Sequence, residues 1–238
     1  MDSLDNSRRS RSLLATLVAG EAVYVLLFVI FLFAPAGTVK WPRGWILVAL
    51  LAVNRIVALV RLYRVSPALL AERSKGPLQS GQTLADKLLL PTFMASYAGL
   101  VAFVSADHFR FDLLGHTSAL ASCVGLVGIL AGSALVTEAL CENAYATMVV
   151  RHQAEREQRV VDTGLYRWVR HPMYAGLVLV LVGIPLWLGS VAGVVVSIVP
   201  IVVLIVRILH EERLLAGKLH GYDRYRLRVR SRLIPGIW

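Results

Sequence analysis

The chain has 238 residues, of which 57% are hydrophobic and 17% are charged, and its formal net charge is +10. Soluble domains are about 45–50% apolar, so this composition excludes an ordinary soluble protein and indicates a polytopic membrane protein. The Lys and Arg residues flank the apolar runs, which favours anionic lipid headgroups over nucleic acid as their counter-charge. Membrane lipids are therefore expected partners, and nucleic acid is not.

Six apolar segments have about the length needed to cross a hydrocarbon core of about 30 Å. In chain order they are Leu13–Phe33, Gly44–Leu62, Leu88–Val104, Ala119–Thr137, Met173–Leu188 and Val191–Ile208. The last two are short, contain Pro185 and Pro200, and are separated only by Gly189 and Ser190. This pattern predicts two kinked helices in a tight hairpin, or a re-entrant pair. The predicted fold is an all-α polytopic membrane bundle with five to six transmembrane helices.

The orientation follows from the basic residues. One side of the six spans receives 20 of the 25 Lys and Arg residues, and the opposite side receives three. Because Lys and Arg accumulate on the cytoplasmic side, both termini are predicted to be cytoplasmic. We divide the chain into a basic cytoplasmic tail (1–12), N-terminal transmembrane helices (13–137) and a C-terminal half (138–238).

Two segments of the C-terminal half are predicted to extend the membrane helices. The stretch that begins at Glu142 is predicted to continue the fourth span as a helix and to end near Thr163–Gly164. The sixth span is predicted to continue past Glu212, with a short amphipathic helix at the membrane interface after Gly221.

The stretch RHPMYAG, residues 170–176, opens the fifth span. Proline is favoured at the first turn of a helix, so Pro172 should begin this helix with His171 beside its cap. The free N–H groups and the positive end of the helix dipole then favour an anion. Arg170 and His171 add donors, and Tyr174 lies one turn further in. The alternative is that Arg170 and Tyr174 only anchor the helix in the headgroup region.

Glu211 and Glu212 form an acidic pair at the cytoplasmic end of the sixth span. Acidic side chains near a helix C-terminus oppose its dipole, so the pair indicates a cationic or hydroxyl-rich ligand. Neutralisation by Arg213 and the arginines beyond it is the alternative. The hairpin should bring this pair beside the start of the fifth span. A ligand with both a carboxylate and an ammonium group would fit there, and S-adenosylmethionine has both, together with a sulfonium and a ribose diol.

The order GLYRWVRHPMYAG, an apolar hairpin, then EERLL and HGYDRYRLRVRSRLIPG resembles the isoprenylcysteine carboxyl methyltransferase family, particularly its bacterial and archaeal membrane members. The lead-in NAYATMVVRHQAEREQRVVDTG and, more weakly, FAPAGTVKWPRGW and SPALLAERSK extend the resemblance. It implies that residues 138–238 are the cofactor-binding methyltransferase half, with a cytoplasmic S-adenosylmethionine pocket. The implied cofactor-binding residues are Tyr166, Arg170, His171, Pro172, Tyr174, Glu211, Glu212, Tyr222 and Tyr225.

An arginine is the side chain best suited to fix an acceptor carboxylate, because its planar fork can bind both oxygens. Eukaryotic members of the family carry an Arg in the helix before the lead-in, where this chain has Glu138 and Glu142. We therefore predict Arg207 and Arg55 as catalytic residues that orient the acceptor.

Two observations qualify this choice. Arg61, in the same span as Arg55, is a further candidate, because ionisable residues within spans are usually functional or paired. The alternative for Arg55 is an ion pair with Glu21 in the first span.

The expected function is transfer of a methyl group from S-adenosylmethionine to a lipidic carboxylate, such as that of a prenylated small molecule or peptide, at the cytoplasmic membrane face. Three alternatives stay open: a phospholipid or other lipid N- or C-methyltransferase, an NADPH-dependent membrane reductase of similar architecture, and a non-enzymatic membrane scaffold. No metal site is predicted, because Cys123, Cys141 and the histidines lack metal-ligand spacing.

Overall fold

A computed structural model describes the backbone of residues 2–238 and the side chains of residues 15–238. Within residues 2–238 every regular element is helical, which confirms the predicted all-α fold. The α-helices are α1 (Asp2–Ala36), α2 (Pro42–Val65), α3 (Pro67–Arg73), α4 (Leu84–Ala106), α5 (Ala119–Glu142), α6 (Pro172–Leu188), α7 (Val191–Val196), α8 (Ile198–Lys218) and α9 (Tyr222–Arg228). The predicted basic tail, residues 1–12, lies outside the residues whose side chains are described.

Five helical segments in the described part of the chain are long and apolar enough to cross a membrane. They are Ala15–Ala36, Pro42–Val65, Leu84–Phe111, Ala119–Glu142 and Val191–Lys218. The sixth apolar helix, α6, is shorter, with 17 residues. The prediction of a polytopic bundle with five to six spans is confirmed.

The turn between α6 and α7 forms at the two predicted residues. Gly189 has a φ of +90°, a left-handed conformation that glycine adopts most easily. The N–H groups of Gly189 and Ser190 both donate to the carbonyl oxygen of Pro185. The helical segment that follows the turn is interrupted at Ser197, between α7 and α8. Pro200 explains this break, because it has no N–H to donate to the carbonyl four residues earlier.

Glycines set the packing of α5 against α6. A Cβ atom on Gly132 would lie 2.5 Å from the carbonyl oxygen of Gly176, and one on Gly176 would lie 2.6 Å from that of Gly132. Gly125 and Gly183 repeat this contact, with corresponding distances of 2.8 and 2.7 Å. Small residues let helix backbones approach closely in membranes. The two helices therefore run side by side, and the end of α5 lies near the start of α6.

The substitution Gly176→Ala is expected to lower the stability of the detergent-solubilised protein by about 1–3 kcal/mol, because the added methyl group meets backbone that cannot move aside cheaply. Thermal unfolding followed by tryptophan fluorescence measures this loss. Gly99→Ala in α4 is the matched control, since a Cβ atom there meets nothing within 4 Å. Equal unfolding temperatures for the two variants would contradict the close helix contact.

The segment between α5 and α6 is not the predicted helical extension. Residues 143–163 form an irregular loop with one 3₁₀ turn, Ala154–Arg156. The Oδ1 atom of Asn143 accepts a hydrogen bond from the N–H of Tyr145 at 2.9 Å, and Nε2 of Gln153 donates to the carbonyl of Tyr145 at 2.8 Å. Such local side-chain bonds compete with helix formation, which is why the helical prediction was wrong.

The helix predicted after Gly221 is present and short. Gly221 has a φ of +84° and separates α8 from the seven-residue α9. Tyr222 and Tyr225 of α9 are buried with Leu219 and Val229. One face of α9 is therefore packed on the protein and is not free to lie in the lipid headgroup region.

Candidate active site

The start of α6 and the end of α8 meet at one end of the bundle. Pro172 is the first residue of α6, as predicted, and His171 directly precedes it. The Nε2 atom of His171 lies 3.2 Å from Oε1 of Glu212 in α8. The folded-back last helices thus place a donor-rich helix start beside the acidic pair.

The carboxylate of Glu212 is enclosed by three side-chain donors. Nε of Arg170 donates to Oε1 at 2.7 Å, Nε of Arg232 donates to Oε2 at 2.9 Å, and His171 is the third neighbour. The side chains of Arg170, His171 and Glu212 are only 5–7% exposed. A buried carboxylate must be paired, and Glu212 finds its partners within the protein. Glu212 does not line the cavity and holds Arg170 and His171 in place, and its contact with the cofactor stays a prediction.

Arg170 also fastens the C-terminal segment to the start of α6. Its Nη1 atom donates to the carbonyl oxygens of residues 229 and 230 at 2.7 and 2.8 Å. The backbone N–H groups of Arg170 and His171 donate to the carbonyls of Ser231 and Arg232 at 3.0 and 2.9 Å. The chain beyond α9 is therefore part of the framework of the site.

A cavity of about 720 Å³, counting open space at its mouth, lies beside this cluster. Small-molecule sites are concave and combine apolar walls with a few polar groups, as this cavity does. The start of α6, the end of α8, α9 and the loop 143–161 supply its walls. The predicted residues that line it are Tyr166, Arg170, His171, Tyr174, Arg207, Glu211, Tyr222 and Tyr225.

Glu211 is the only acidic side chain among the described residues that line the cavity. It is partly buried, and its Oε2 atom accepts a hydrogen bond from the hydroxyl of Tyr174 at 2.8 Å. The first N–H groups of a helix have no acceptor within that helix. In α6 they belong to Met173 and Tyr174, which both line the cavity. A carboxylate and a helix N-terminus therefore border one space, as a zwitterionic ligand requires.

Tyr222 brings an unpaired hydroxyl to the cavity. Its side chain is buried, and no described atom forms a hydrogen bond with its hydroxyl oxygen. Leaving a buried polar group unpaired costs about 1–3 kcal/mol, which a bound ligand can recover. Burial and the carboxylates of Glu212 and Glu211 raise the pKa of Tyr222, so its hydroxyl stays protonated and able to donate.

Tyr225 has a framework role in the same helix. Its hydroxyl donates to the carbonyl of Tyr166 at 2.7 Å. Tyr166 lies in the 3₁₀ turn Gly164–Arg167, and its own hydroxyl donates to the carbonyl of Ala139 at 3.3 Å. This chain of bonds ties α9 to the end of α5 across one wall of the cavity.

Arg207 lines the cavity and is already ion-paired. Its Nε atom donates to Oδ1 of Asp86 at 2.8 Å, and its Nη2 atom donates to the carbonyl of Met148 at 2.6 Å. Asp86 also accepts a hydrogen bond from the N–H of Val150 at 2.8 Å. Arg207 and Asp86 thus fasten the loop wall to α8 and α4.

The other predicted arginines are paired away from the cavity. Both Nε and Nη2 of Arg55 donate to the carboxylate of Glu21, the pairing that the sequence offered as an alternative. Arg61 pairs with Glu138 at 2.7 Å. Arg55 does not line the cavity and its charge is neutralised by Glu21, so the structure gives no support to its predicted catalytic role. Pro172 does not line it either and acts by starting α6.

Sequence reasoning missed the loop residues of the cavity wall. The cavity is also lined by Asn143, Tyr145, Ala146, Thr147, Val149, Val150, Gln158, Arg159, Val160 and Val161. They belong to the segment that was predicted to be helical. The signal that pointed to them was the resemblance of the lead-in that starts at Asn143.

Glu142, which stands near the position of the family's arginine, has a structural role. Its Oε2 atom accepts a hydrogen bond from the N–H of Leu165 at 2.7 Å, at the start of the 3₁₀ turn. A Cβ atom on Gly164 would lie 2.0 Å from Oε1 of this carboxylate, and Gly164 has a φ of +52°. The glycine is therefore required for Glu142 to reach the turn.

Comparisons with known proteins relate the sequence and the fold to membrane methyltransferases. Residues 120–220 match the phospholipid methyltransferase family. The structure of the eukaryotic intramembrane Ras methyltransferase ICMT (isoprenylcysteine carboxyl methyltransferase), solved without a monobody, is similar, with a TM-score of 0.57 and 21% sequence identity. That similarity covers 93% of this chain and 77% of the other. No curated protein matches the sequence.

Both findings confirm the resemblance that the sequence motifs indicate. The matched residues 120–220 include α5, the loop, α6 and the acidic end of α8. The similar solved structure extends the shared fold to the N-terminal helices. The chain is therefore an integral, multi-pass membrane protein that shares the fold of the isoprenylcysteine carboxyl methyltransferase structure, and its residues 120–220 match the phospholipid methyltransferase family.

Proposed function

We propose that the protein transfers a methyl group from S-adenosylmethionine to the carboxylate of a lipidic acceptor at the cytoplasmic face of the membrane. One observation carries this proposal: Glu211, the start of α6 and the unpaired hydroxyl of Tyr222 all border one cavity. The excess of Lys and Arg on one side of the spans supports the cytoplasmic orientation.

The residues present fit S-adenosylmethionine group by group. The N–H groups at the start of α6, with His171 beside them, suit its carboxylate. Glu211 suits its ammonium group, and the hydroxyl of Tyr222 suits an acceptor atom of its ribose or adenine. When bound, the cofactor supplies an electrophilic methyl group on a sulfonium, and its loss leaves neutral S-adenosylhomocysteine.

The protein's own task is then to position the acceptor and to exclude water. An acceptor carboxylate is ionised at neutral pH, so no general base is needed. Alignment at near-attack distance can supply about 7–11 kcal/mol of the barrier. The buried side chains of Tyr166 and Tyr174 line the cavity and keep water out, which strengthens the attraction between opposite charges inside it.

Apolar side chains next to the cavity support a lipidic substrate. Leu62, Leu69 and Leu140, from α2, α3 and α5, form an apolar cluster. Ala146 and Met173 pack against this cluster and also line the cavity. Apolar contacts therefore continue from the cavity wall to the membrane helices, a setting that suits an acceptor with an apolar tail.

A lipid N-methyltransferase is the second candidate, favoured by the match of residues 120–220 to the phospholipid methyltransferase family. A protonated amine must lose its proton before it accepts a methyl group. Glu211 is the only carboxylate among the described lining residues. In this proposal it binds the ammonium group of the cofactor, so it is not available to remove a proton from an amine acceptor. The carboxylate acceptor is therefore the better fit.

Calorimetry and a labelling assay test the proposal. We expect S-adenosylhomocysteine to bind the purified protein at micromolar concentration and NADPH not to bind, because NADPH has no ammonium group to pair with Glu211. Incubation with a radiolabelled methyl donor and membrane lipid extract should give a base-labile product, the mark of a methyl ester. Base-stable label would support the N-methyltransferase instead, and binding of NADPH alone would contradict both.

The variant Tyr222→Phe is expected to bind S-adenosylhomocysteine about 5- to 10-fold more weakly, through loss of one hydrogen bond worth about 1–1.4 kcal/mol. The unfolding temperature without ligand should not fall, because the hydroxyl has no described partner to lose. Tyr225→Phe is the control, since it removes a hydroxyl that donates to Tyr166 and should lower stability. A destabilised Tyr222→Phe protein with normal binding would contradict the assignment.

A further inference from the structure

Arg73 is a cation beside the cavity that the sequence patterns did not single out. It is the last residue of α3 and is partly buried. Its Nη1 atom donates to the carbonyl oxygen of Ala146 at 2.8 Å. Ala146 lines the cavity, so the guanidinium of Arg73 contacts a residue of the cavity wall without being a lining residue itself.

Arg73 differs from Arg55, Arg61 and Arg207 in having no acidic partner among the residues with described side chains. Arg55, Arg61 and Arg207 each face a carboxylate, as described above. Among the residues with described side chains, no carboxylate lies within ion-pair distance of Arg73. The neighbouring Glu72 is directed to Lys75 and Arg151. The C-terminal end of α3 thus carries one positive charge that no carboxylate among the described side chains neutralises.

The surroundings of Arg73 disfavour a lone cation. Burial and the positive charges of Arg55 and Arg207 lower the pKa of Arg73 to about 10, so the group is still charged at neutral pH. A charge kept inside a membrane protein without a counter-ion indicates a ligand pathway or an ion that arrives with a ligand. An anion that binds next to Arg73 would neutralise this charge.

This inference rests on the proposed methyltransferase activity, because the methyl acceptor of that reaction carries an anionic group. We infer that Arg73 positions the methyl acceptor by binding its anionic group beside the cavity. A guanidinium presents paired N–H groups that match the two oxygens of a carboxylate. Leu69 and Leu70 of the same helix are buried in the apolar cluster described above, so α3 is fixed against the membrane helices and holds Arg73 in place.

Acceptor kinetics of Arg73 variants test the inference. The probe is S-farnesylated N-acetylcysteine, which joins a free carboxylate to an apolar tail, with radiolabelled S-adenosylmethionine as donor. Arg73→Met is expected to raise the KM for the probe or lower kcat/KM by about 10- to 100-fold, the effect of losing a charged hydrogen bond. Arg73→Lys, which keeps the charge without the fork, should recover part of the loss. The affinity for S-adenosylhomocysteine should be unchanged in both variants.

Arg64→Met is the matched control, because Arg64 is an exposed arginine close to the same end of the bundle. A parallel assay replaces the probe with phosphatidylethanolamine vesicles, since a phosphate is also an oxyanion that Arg73 could hold. Base-labile label identifies the carboxylate as the group held, and a base-stable product that depends equally on Arg73 identifies the phosphate. Active wild type with an unaffected Arg73→Met variant overturns this inference alone. Wild type that binds no S-adenosylhomocysteine and labels no lipid overturns the proposed function as well.

Discussion

Replacing Glu211 by glutamine is expected to weaken the binding of S-adenosylhomocysteine by about 10- to 100-fold. The change removes the charge of the only acidic side chain among the described lining residues, and a hydrogen bond to a charged group is worth about 1.5–3 kcal/mol. The hydroxyl of Tyr174 can still donate to the amide oxygen of the new side chain. The protein should therefore fold normally, and calorimetry should show a loss of affinity at nearly constant unfolding temperature.

Glu157→Gln is the control for this experiment. Glu157 lies in the loop that forms the cavity wall, and its side chain is 85% exposed. Its neutralisation should leave the affinity for S-adenosylhomocysteine at the wild-type value. If Glu211→Gln bound the ligand as tightly as Glu157→Gln does, the placement of the ligand's ammonium group at Glu211 would be untenable.

Replacing Glu212 by alanine is expected to have the opposite pattern, with stability as its main effect. The change leaves Arg170 buried without its carboxylate and removes the link between α6, α8 and the C-terminal segment. Breaking a buried ion pair by removing one partner costs about 3–5 kcal/mol. For a chain of this length that corresponds to a fall in unfolding temperature on the order of 10 °C.

Thermal unfolding of the detergent-solubilised protein measures this effect. Glu212→Gln should lose less stability than Glu212→Ala, because an amide oxygen can still accept hydrogen bonds from Arg170 and Arg232. Glu211→Gln is the matched control, one residue away on the same helix. A Glu212→Ala protein as stable as Glu211→Gln would show that the cluster of donors around Glu212 is not structural.

The contrast between Glu211 and Glu212 shows what the sequence could and could not predict. Both acids could be placed at the end of the last span and opposite the start of α6, because the span lengths and the Gly189–Ser190 turn fix that geometry. Adjacent residues on a helix point about 100° apart, so only one can face a given cavity. Which one does so depends on the rotation of α8, and that is set by packing against elements distant in sequence.

The loop after α5 and Arg73 were missed for a related reason. Residues 143–163 have no hydrophobic period, and their conformation depends on contacts with Asp86 and Arg207, which lie far away in the chain. Arg73 precedes the motif-bearing C-terminal half by some 65 residues. Its importance arises from the absence of an acidic neighbour among the described side chains, and ion-pair partners are a property of the folded structure. Local sequence patterns predicted the membrane spans. The ion pairs and the conformation of the loop depend on tertiary contacts, which such patterns do not show.

The most direct test of the central claim is an experimental structure of the protein with S-adenosylhomocysteine bound. We expect the ligand in the cavity between α6, α8, α9 and the loop, with its ammonium group at Glu211, its carboxylate at the start of α6 and a polar atom of its nucleoside at the hydroxyl of Tyr222. Density for the ligand at any other place on the protein, with this cavity filled by side chains or solvent, would contradict the account.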